Sequence, residues 1–375
     1  MRPKLVLAAN DGWNIVNYRK GLIAALEAAG YDLCVIAPDG PHTEEIRQMG
    51  AEFIPISMSP RGRSPLADLR LLKAYAKVLR DIRPAALLGF TAKPNIYGSI
   101  AARLVGVPAI NNISGLGTVF ARRSWLTALV SNLYRIALRQ SAKVFFQNGD
   151  DRALFERMGL VQGGQSGLLP GSGVDLAHFA PVDRHPDGGP FTFLLAARLL
   201  WEKGVGEFVE AARRLRSEGL EARFQILGIV EPDSSAAVSR AQLQQWQDER
   251  VIAYLGSADD VRPAYASADC VVLPSYYREG VPRVLLEASA MGVPVITTDM
   301  PGCRDAVEDG TTGFLCEPRS VDSLKDTMTR MLDLSPDERL SMGAAARAKM
   351  EQEFDETFVH RAYLDALRQV GVSGS

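Results

Sequence analysis

At 375 residues the chain is long for one hydrophobic core and sufficient for two, and its 47% apolar and 23% charged composition is ordinary for a globular protein. No run approaches the roughly 18 apolar residues of a membrane span. The net charge of −2 conceals an asymmetry: residues 1–180 carry 21 Lys and Arg against 13 Asp and Glu, and the remainder 21 against 31. The basic half suits an anionic partner, a diphosphate or an anionic membrane surface; no basic-aromatic platform points to nucleic acid.

In chain order, the apolar run within Lys4–Ala9 is too short for a signal-peptide core and reads as a first strand, which places the protein in the cytosol or on the cytosolic face of a membrane. A turn-rich loop, Asn10–Asn14, leads to a helix over Asn17–Ala29 closed by Gly30, then a strand, Leu33–Ala37. Helix Thr43–Met49, strand Glu52–Pro55, helix Pro65–Arg83, strand Ala86–Gly89 and a later strand Lys143–Phe146 continue the alternation. The Gly-, Pro- and Ser-rich stretch Gly163–Asp187 reads as a linker.

The pattern then restarts: strand Phe191–Ala196, helix Gly206–Glu218, strand Arg223–Gly228, helix Ala236–Glu249, strand Val251–Leu255, helix Val261–Ser267 and strand Cys270–Leu273. Helix Pro282–Met291, strands Val293–Thr297 and Gly313–Leu315, and helices Ser335–Glu353 and Glu356–Val370 complete it. Such alternation implies an α/β protein with two Rossmann-like domains of parallel sheet facing across an interdomain cleft. The expected divisions are 1–180, 181–352 and a terminal helix, 353–375, returning to the first domain.

Cys34, Cys270, Cys303 and Cys316 have no C-x-x-C spacing, and His42, His178, His185 and His360 form no ligand motif, so buried thiols and no dedicated metal site are expected. No Asp-x-Asp is present to hold a metal-diphosphate.

The most specific segment is Glu279-Gly-Val-Pro-Arg-Val-Leu-Leu-Glu287. Pro282 suits a first helical position and Gly280 permits close backbone approach. Amides of Val281, Arg283 and Val284 at the helix start favour phosphate. Glu287, more than a turn further in, can reach a ribose diol, and Glu279 a transferred sugar. Arg198 and Lys203 of Ala196-Ala-Arg-Leu-Leu-Trp-Glu-Lys-Gly204 follow a strand, and two fixed cations there suit a leaving diphosphate without a metal. Asn112-Ile-Ser-Gly-Leu-Gly117 is a second Gly-rich loop, but neither it nor Gly204-Val-Gly206 completes a dinucleotide fingerprint.

These elements together resemble the large family of retaining glycosyltransferases with two facing Rossmann-like domains, family 4 with the GT-B fold. The resemblance rests on E-x₇-E (Glu279, Glu287), R-x₄-K-G (Arg198, Lys203, Gly204), Gly171-Ser-Gly-Val-Asp175 and Gly302-Cys-Arg-Asp-Ala-Val-Glu-Asp-Gly310. Ala197–Val205 and Leu273–Gly280 are similar to the bacterial branch that adds N-acetylhexosamine to a lipid-diphosphate-linked sugar, including N-acetylgalactosamine transfer to undecaprenyl-diphosphate-linked diacetylbacillosamine.

The resemblance implies that Arg198 and Lys203 hold the donor diphosphate and Glu279 contacts the donor sugar. It implies further that Glu287 binds the ribose and the Gly280–Arg283 backbone, with Val281 and Pro282, cradles phosphate. Tyr254 and Gly256 would line a uracil pocket. Asn10 and Gly12 would face the diphosphate and the acceptor. Where many members carry a sugar-facing His, this chain has Phe90-Thr-Ala-Lys-Pro-Asn95, so Lys93 or Asn95 takes that place; Arg19 would meet an acceptor diphosphate. No cofactor is required, the UDP-sugar being a co-substrate, and the reaction implied is front-face retaining transfer to a polyprenyl-diphosphate-linked sugar.

Two basic segments, Ser57–Pro65 with Arg61 and Arg63, and Phe120–Val130 with Arg122, Arg123 and Trp125, suit docking on an anionic membrane or, for the second, a buried helix. A glycogen-synthase-like soluble transferase is the nearest rival; a nucleotide-sugar 2-epimerase or a non-catalytic nucleotide-sugar sensor would use the same architecture.

Overall fold

The computed structural model describes residues 2–59, 64–120, 125–181, 189–231, 234 and 236–374. The chain divides into two compact units, Met1–Gly173 with Glu356–Ser375, and Val174–Asp355.

The first unit runs β1 (Lys4–Ala8), α1 (Gly12–Ala28), β2 (Asp32–Ala37), α2 (Thr43–Gln48), β3 (Glu52–Pro55), α3 (Pro65–Ile82), β4 (Ala86–Phe90), α4 (Ser99–Val105), β5 (Ala109–Ile113), α5 (Trp125–Leu138), β6 (Lys143–Phe146), α6 (Gly149–Arg157) and β7 (Ser166–Leu168). Its strands are all parallel in the order β3-β2-β1-β4-β5-β6-β7. Successive strand residues point to opposite faces, so Leu5 and Leu7 join one core and Val6 and Ala8 another. A sheet buried on both faces explains why these strands read as continuous apolar runs.

The second unit repeats the scheme with β8 (Phe191–Ala196), α7 (Val205–Ser217), β9 (Ala222–Leu227), α8 (Arg240–Asp248), β10 (Ala253–Tyr254), α9 (Arg262–Ser267), β11 (Cys270–Leu273), α10 (Arg283–Ala290), β12 (Val295–Thr298), β13 (Gly313–Cys316), α11 (Val321–Asp333) and α12 (Pro336–Lys349). Its parallel order is β10-β9-β8-β11-β12-β13. The last helix, α13 (Glu356–Gln369), belongs to the first unit, where Tyr363 and Leu367 share a core with Ile15, Leu22 and Leu26 of α1.

In each unit the chain starts at a central strand, winds one way, then returns to that strand's other side. The reversal falls between β1 and β4, and between β8 and β11. Loops leaving the carboxyl ends of such neighbours are where open parallel sheets bind ligands.

Several boundaries differ from those read in the sequence. Helix α1 begins at Gly12, five residues before the expected Asn17, because the Asp11 side chain accepts the Asn14 amide at 2.7 Å and caps the helix there. Ser239 caps α8 in the same way at Gln242, so that helix starts at Arg240 instead of Ala236. The stretch expected as a linker holds β7, paired to β6, and the units change over at Gly173–Val174; Val174 and Phe179 are already core residues of the second unit. Residues 182–188 lie outside the described residues, as do Arg61, Arg63, Arg122 and Arg123. Helices α4, α6 and α11 carry no expectation from the sequence, and α5 extends the helix offered for Phe120–Val130 to Leu138. All four cysteines are buried and unbridged.

Candidate active site

In the second unit, the loops leaving β8 and β11 lie against each other because of one glycine. Gly204 has φ 78°, and a Cβ there would fall on the carbonyl oxygen of Pro274. This contact brings Lys203, at the end of a short 3₁₀ turn, to Glu279: Nζ lies 2.5 Å from Oε2, with the side chains 10% and 12% exposed. The second carboxylate oxygen accepts a 2.7 Å hydrogen bond from the fully buried hydroxyl of Ser275. The Lys203 ammonium also lies 5.7 Å from the Tyr277 ring centroid. Arg198 does not join this pair; its guanidinium meets Glu231 at 3.0 Å, nearly half exposed.

Glu279 leads into Gly280, Val281 and Pro282, and α10 begins at Arg283. Pro282, expected as the first helical position, is thus the cap, and the helix starts one residue later. Behind the loop stands Gly302 at φ 85°, where a Cβ would overlap the Gly280 carbonyl oxygen. Glu287, one turn into α10, pairs with Arg283 Nε at 2.9 Å and accepts from the Tyr265 hydroxyl at 3.1 Å. Burial pushes its carboxyl above the ordinary glutamate range, with Arg283 and Tyr265 opposing. At the sheet edge, the Tyr254 hydroxyl donates to the Gly228 carbonyl at 2.9 Å, its amide to Gln247 at 3.1 Å, and the Gly256 carbonyl accepts from Gly228 at 2.8 Å. The Tyr254 amide and the Gly256 carbonyl, two of the backbone groups expected to line the base pocket, are therefore engaged within the unit.

In the first unit, the loop after β1 is Ala9–Asp11. The Asn10 amide donates to Thr91 Oγ1 at 3.2 Å, and Gly12 is the first residue of α1, packed against His42. Lys93 follows β4 and is paired with Asp68 at 2.7 Å; Asp68 also accepts from the Tyr97 hydroxyl at 2.8 Å.

Two residues sit elsewhere than the sequence reading placed them. Asn95 is 1% exposed: its amide donates to the Asn112 carbonyl at 2.7 Å, and its Oδ1 accepts from Asn111 at 2.9 Å. Because α1 starts early, Arg19 lies in its third turn, 2% exposed, with its guanidinium 4.2 Å over the Phe90 ring. Both side chains are buried in the interior of the first unit.

Ser275, Tyr265 and Thr91 were missed. A hydroxyl at the exit of an apolar strand, four residues before Glu279, was the available signal for Ser275. Tyr265 lies 22 residues before Glu287 on another helix and gave none. Among the described residues, no group of three His, Cys, Asp or Glu is arranged to hold a metal, and no helix is long and apolar enough to cross a membrane.

Residues 181–349 match the family model for glycosyl transferases group 1, and residues 4–148 match that for glycosyl transferase 4-like proteins. With two Rossmann-like units and this site, the chain belongs to the GT-B glycosyltransferases of group 1 and is a transferase. It is 26% identical to the N,N'-diacetylbacillosaminyl-diphospho-undecaprenol alpha-1,3-N-acetylgalactosaminyltransferase of Campylobacter jejuni, over 95% of this chain and 96% of that one. It is also 26% identical to the UDP-Gal:alpha-D-GlcNAc-diphosphoundecaprenol alpha-1,3-galactosyltransferase of Escherichia coli, covering 81% and 80%. Among solved structures, Anabaena HepE in complex with UDP and glucose superimposes with a TM-score of 0.80 at 17% identity, covering 98% and 99%, a likeness of fold.

Proposed function

We propose that the protein transfers an N-acetylhexosamine or hexose from a UDP-sugar to a sugar carried on a polyprenyl diphosphate, with retention at the anomeric carbon, in surface-glycan or glycoprotein oligosaccharide assembly. The observation that carries the donor reading is the Lys203–Glu279–Ser275 cluster at the switch point of the second unit. The near full-length match to transferases named for undecaprenyl-diphosphate-linked acceptors supports the acceptor class.

In this reading the second unit takes the donor. Glu287 accepts hydrogen bonds from the ribose hydroxyls, and the start of α10 with Gly280–Arg283 receives the phosphates. Arg198 and Lys203 take up the charge that grows on the diphosphate as the bond from the sugar C1 to its oxygen breaks. The electron pair of that bond leaves with UDP. The acceptor hydroxyl attacks C1 from the same face, and its proton passes to the departing phosphate oxygen. Glu279, with one oxygen on Lys203 and the other on Ser275, is oriented toward the sugar as a fixed anion. Tyr254 and Gly256 contribute to the base pocket through their remaining atoms. The first unit takes the acceptor through Lys93, and its loop with Asn10 and Gly12 faces both the donor diphosphate and the acceptor.

Membrane contact belongs to the same proposal. The start of α5 exposes Trp125 (76%) and Leu129 (48%) on one face, followed by Arg135 further along the helix and Arg139 just past its end, both exposed. Aromatic and apolar groups beside cations suit shallow docking on the anionic cytoplasmic leaflet.

The test is a donor screen against short-chain polyprenyl-diphosphate-linked sugars with EDTA present, read as a product heavier by one sugar. Product from a UDP-N-acetylhexosamine, with the donor's anomeric configuration by NMR, is the expected result. Nucleotide release only with a soluble glucan would overturn the acceptor class, and an inverted product the mechanism.

A further inference from the structure

Thr91, the residue after β4, is β-branched yet lies in the left-handed region at φ 66°. Among the described residues, the other non-glycine residues at positive φ are Arg83, Arg250 and Arg319, unbranched at Cβ and better tolerated there. Glycine would hold the same turn without strain. What glycine lacks is the hydroxyl, and here the hydroxyl is used: Thr91 Oγ1 accepts the Asn10 amide across 81 residues of chain.

The position of that bond gives it meaning. The β1–β4 ladder ends with Ala8 opposite Gly89. Beyond that pair the strands part into separate loops, and the Thr91 side chain supplies a link that the backbone ladder no longer makes. Asn10 runs directly into Asp11, the cap of α1. On the other side, the Thr91 carbonyl accepts the Asn95 amide at 3.1 Å, closing the turn that contains Lys93. One residue therefore holds both loops at the switch point of the first unit.

We propose that Thr91 is a positioning residue for the acceptor side of the reaction: its strained backbone is retained because its hydroxyl fixes the Asn10 amide, and with it the loop that meets the acceptor sugar. The inference rests on the acceptor reading of the first unit given above. It predicts an unusual pattern, in which removing strain costs activity and nothing in stability.

The experiment compares the full-length protein with Thr91→Gly and Thr91→Ser in three measurements: hydrogen exchange at the Asn10 amide without substrate, the thermal midpoint, and steady-state kinetics for acceptor and donor. In Thr91→Gly the expected results are exchange at Asn10 at least about tenfold faster and a midpoint unchanged or raised. Acceptor kcat/KM falls about tenfold, the loss of one oriented hydrogen bond. Thr91→Ser, which keeps the hydroxyl, stays close to the parent in all three. Unchanged Asn10 exchange or acceptor kinetics in Thr91→Gly would overturn the proposal. So would a lowered midpoint, which makes the residue a plain structural support, or equal damage in Thr91→Ser. Because the exchange measurement needs no substrate, it decides the tether even if the parent transfers nothing to a lipid acceptor, an outcome that counts against the acceptor reading instead.

Discussion

Lys203 and Glu279, 76 residues apart in the chain, meet at 2.5 Å with their side chains only 10% and 12% exposed. Each sits on a loop leaving one of two neighbouring strands, and each is the other's counter-ion before any donor arrives. Removing either charge strands the other in a poorly solvated place. Lys203→Ala is expected to lower kcat by about 10²–10³-fold and to destabilise the second unit by about 2–3 kcal/mol, less than a fully buried pair would cost. Steady-state kinetics with urea unfolding checks both. A variant with intact stability and lost activity would show that the lysine acts in the reaction alone.

Arg198 provides the contrast. Its pair with Glu231 is nearly half exposed, and such pairs contribute about 0–1 kcal/mol. Arg198→Ala is expected to leave the unfolding midpoint nearly unchanged while lowering kcat at least about tenfold, measured side by side with Lys203→Ala.

Glu287 predicts a pH dependence. Burial raises its carboxyl, so the folded protein binds that proton more tightly than the unfolded chain does. Its contribution to stability is complete below the ordinary glutamate range and is lost as pH rises through the raised value. Nucleotide binding should run the other way: with Glu287 on the ribose as proposed, the carboxylate is the binding form, so UDP affinity is expected to fall as pH is lowered toward that range. Calorimetric titration of UDP against pH should show this decline, and Glu287→Gln should abolish it while weakening UDP about tenfold or more. Tyr265→Phe, which removes one hydrogen bond to the same carboxylate, should weaken UDP by a smaller factor, about fivefold.

Gly302 supports the Gly280–Arg283 loop, proposed to hold the donor phosphates, from behind. A side chain there meets both an unfavourable φ of 85° and the carbonyl of Gly280. Gly302→Ala is expected to destabilise by about 3 kcal/mol or more, and in the folded fraction to raise the KM for donor by displacing Gly280–Arg283. Denaturation and donor kinetics test the two parts separately.

The sequence made legible whatever was local. Apolar runs of four to six residues located most strands, and β6, β8 and β11 fall on the residues read from the sequence. Glu279 and Glu287 stand out because their spacing places both on one loop-to-helix junction. Partners that arrive from other elements were not legible. Ser275 and Lys203 converge on Glu279 only once β8 and β11 pair, and Tyr265 reaches Glu287 from α9. Asn95 and Arg19 were assigned to the sugar-facing and acceptor positions through the family resemblance; their burial depends on partners distant in the chain, the Asn111–Asn112 network and the packing of α13 over α1. β7 was hidden inside a Gly-rich stretch because three residues carry too little pattern to read.

The central claim is that the Lys203–Glu279 cluster handles the donor. It is tested most directly by single-turnover transfer from UDP-N-acetylhexosamine to a short-chain polyprenyl-diphosphate-linked sugar, comparing the parent with Lys203→Ala and Glu279→Gln at saturating donor. A loss of about 10²-fold or more in the transfer rate of both variants, with the fold intact by circular dichroism, is the predicted result. Rates within about threefold of the parent would contradict the account and move the chemistry away from this pair.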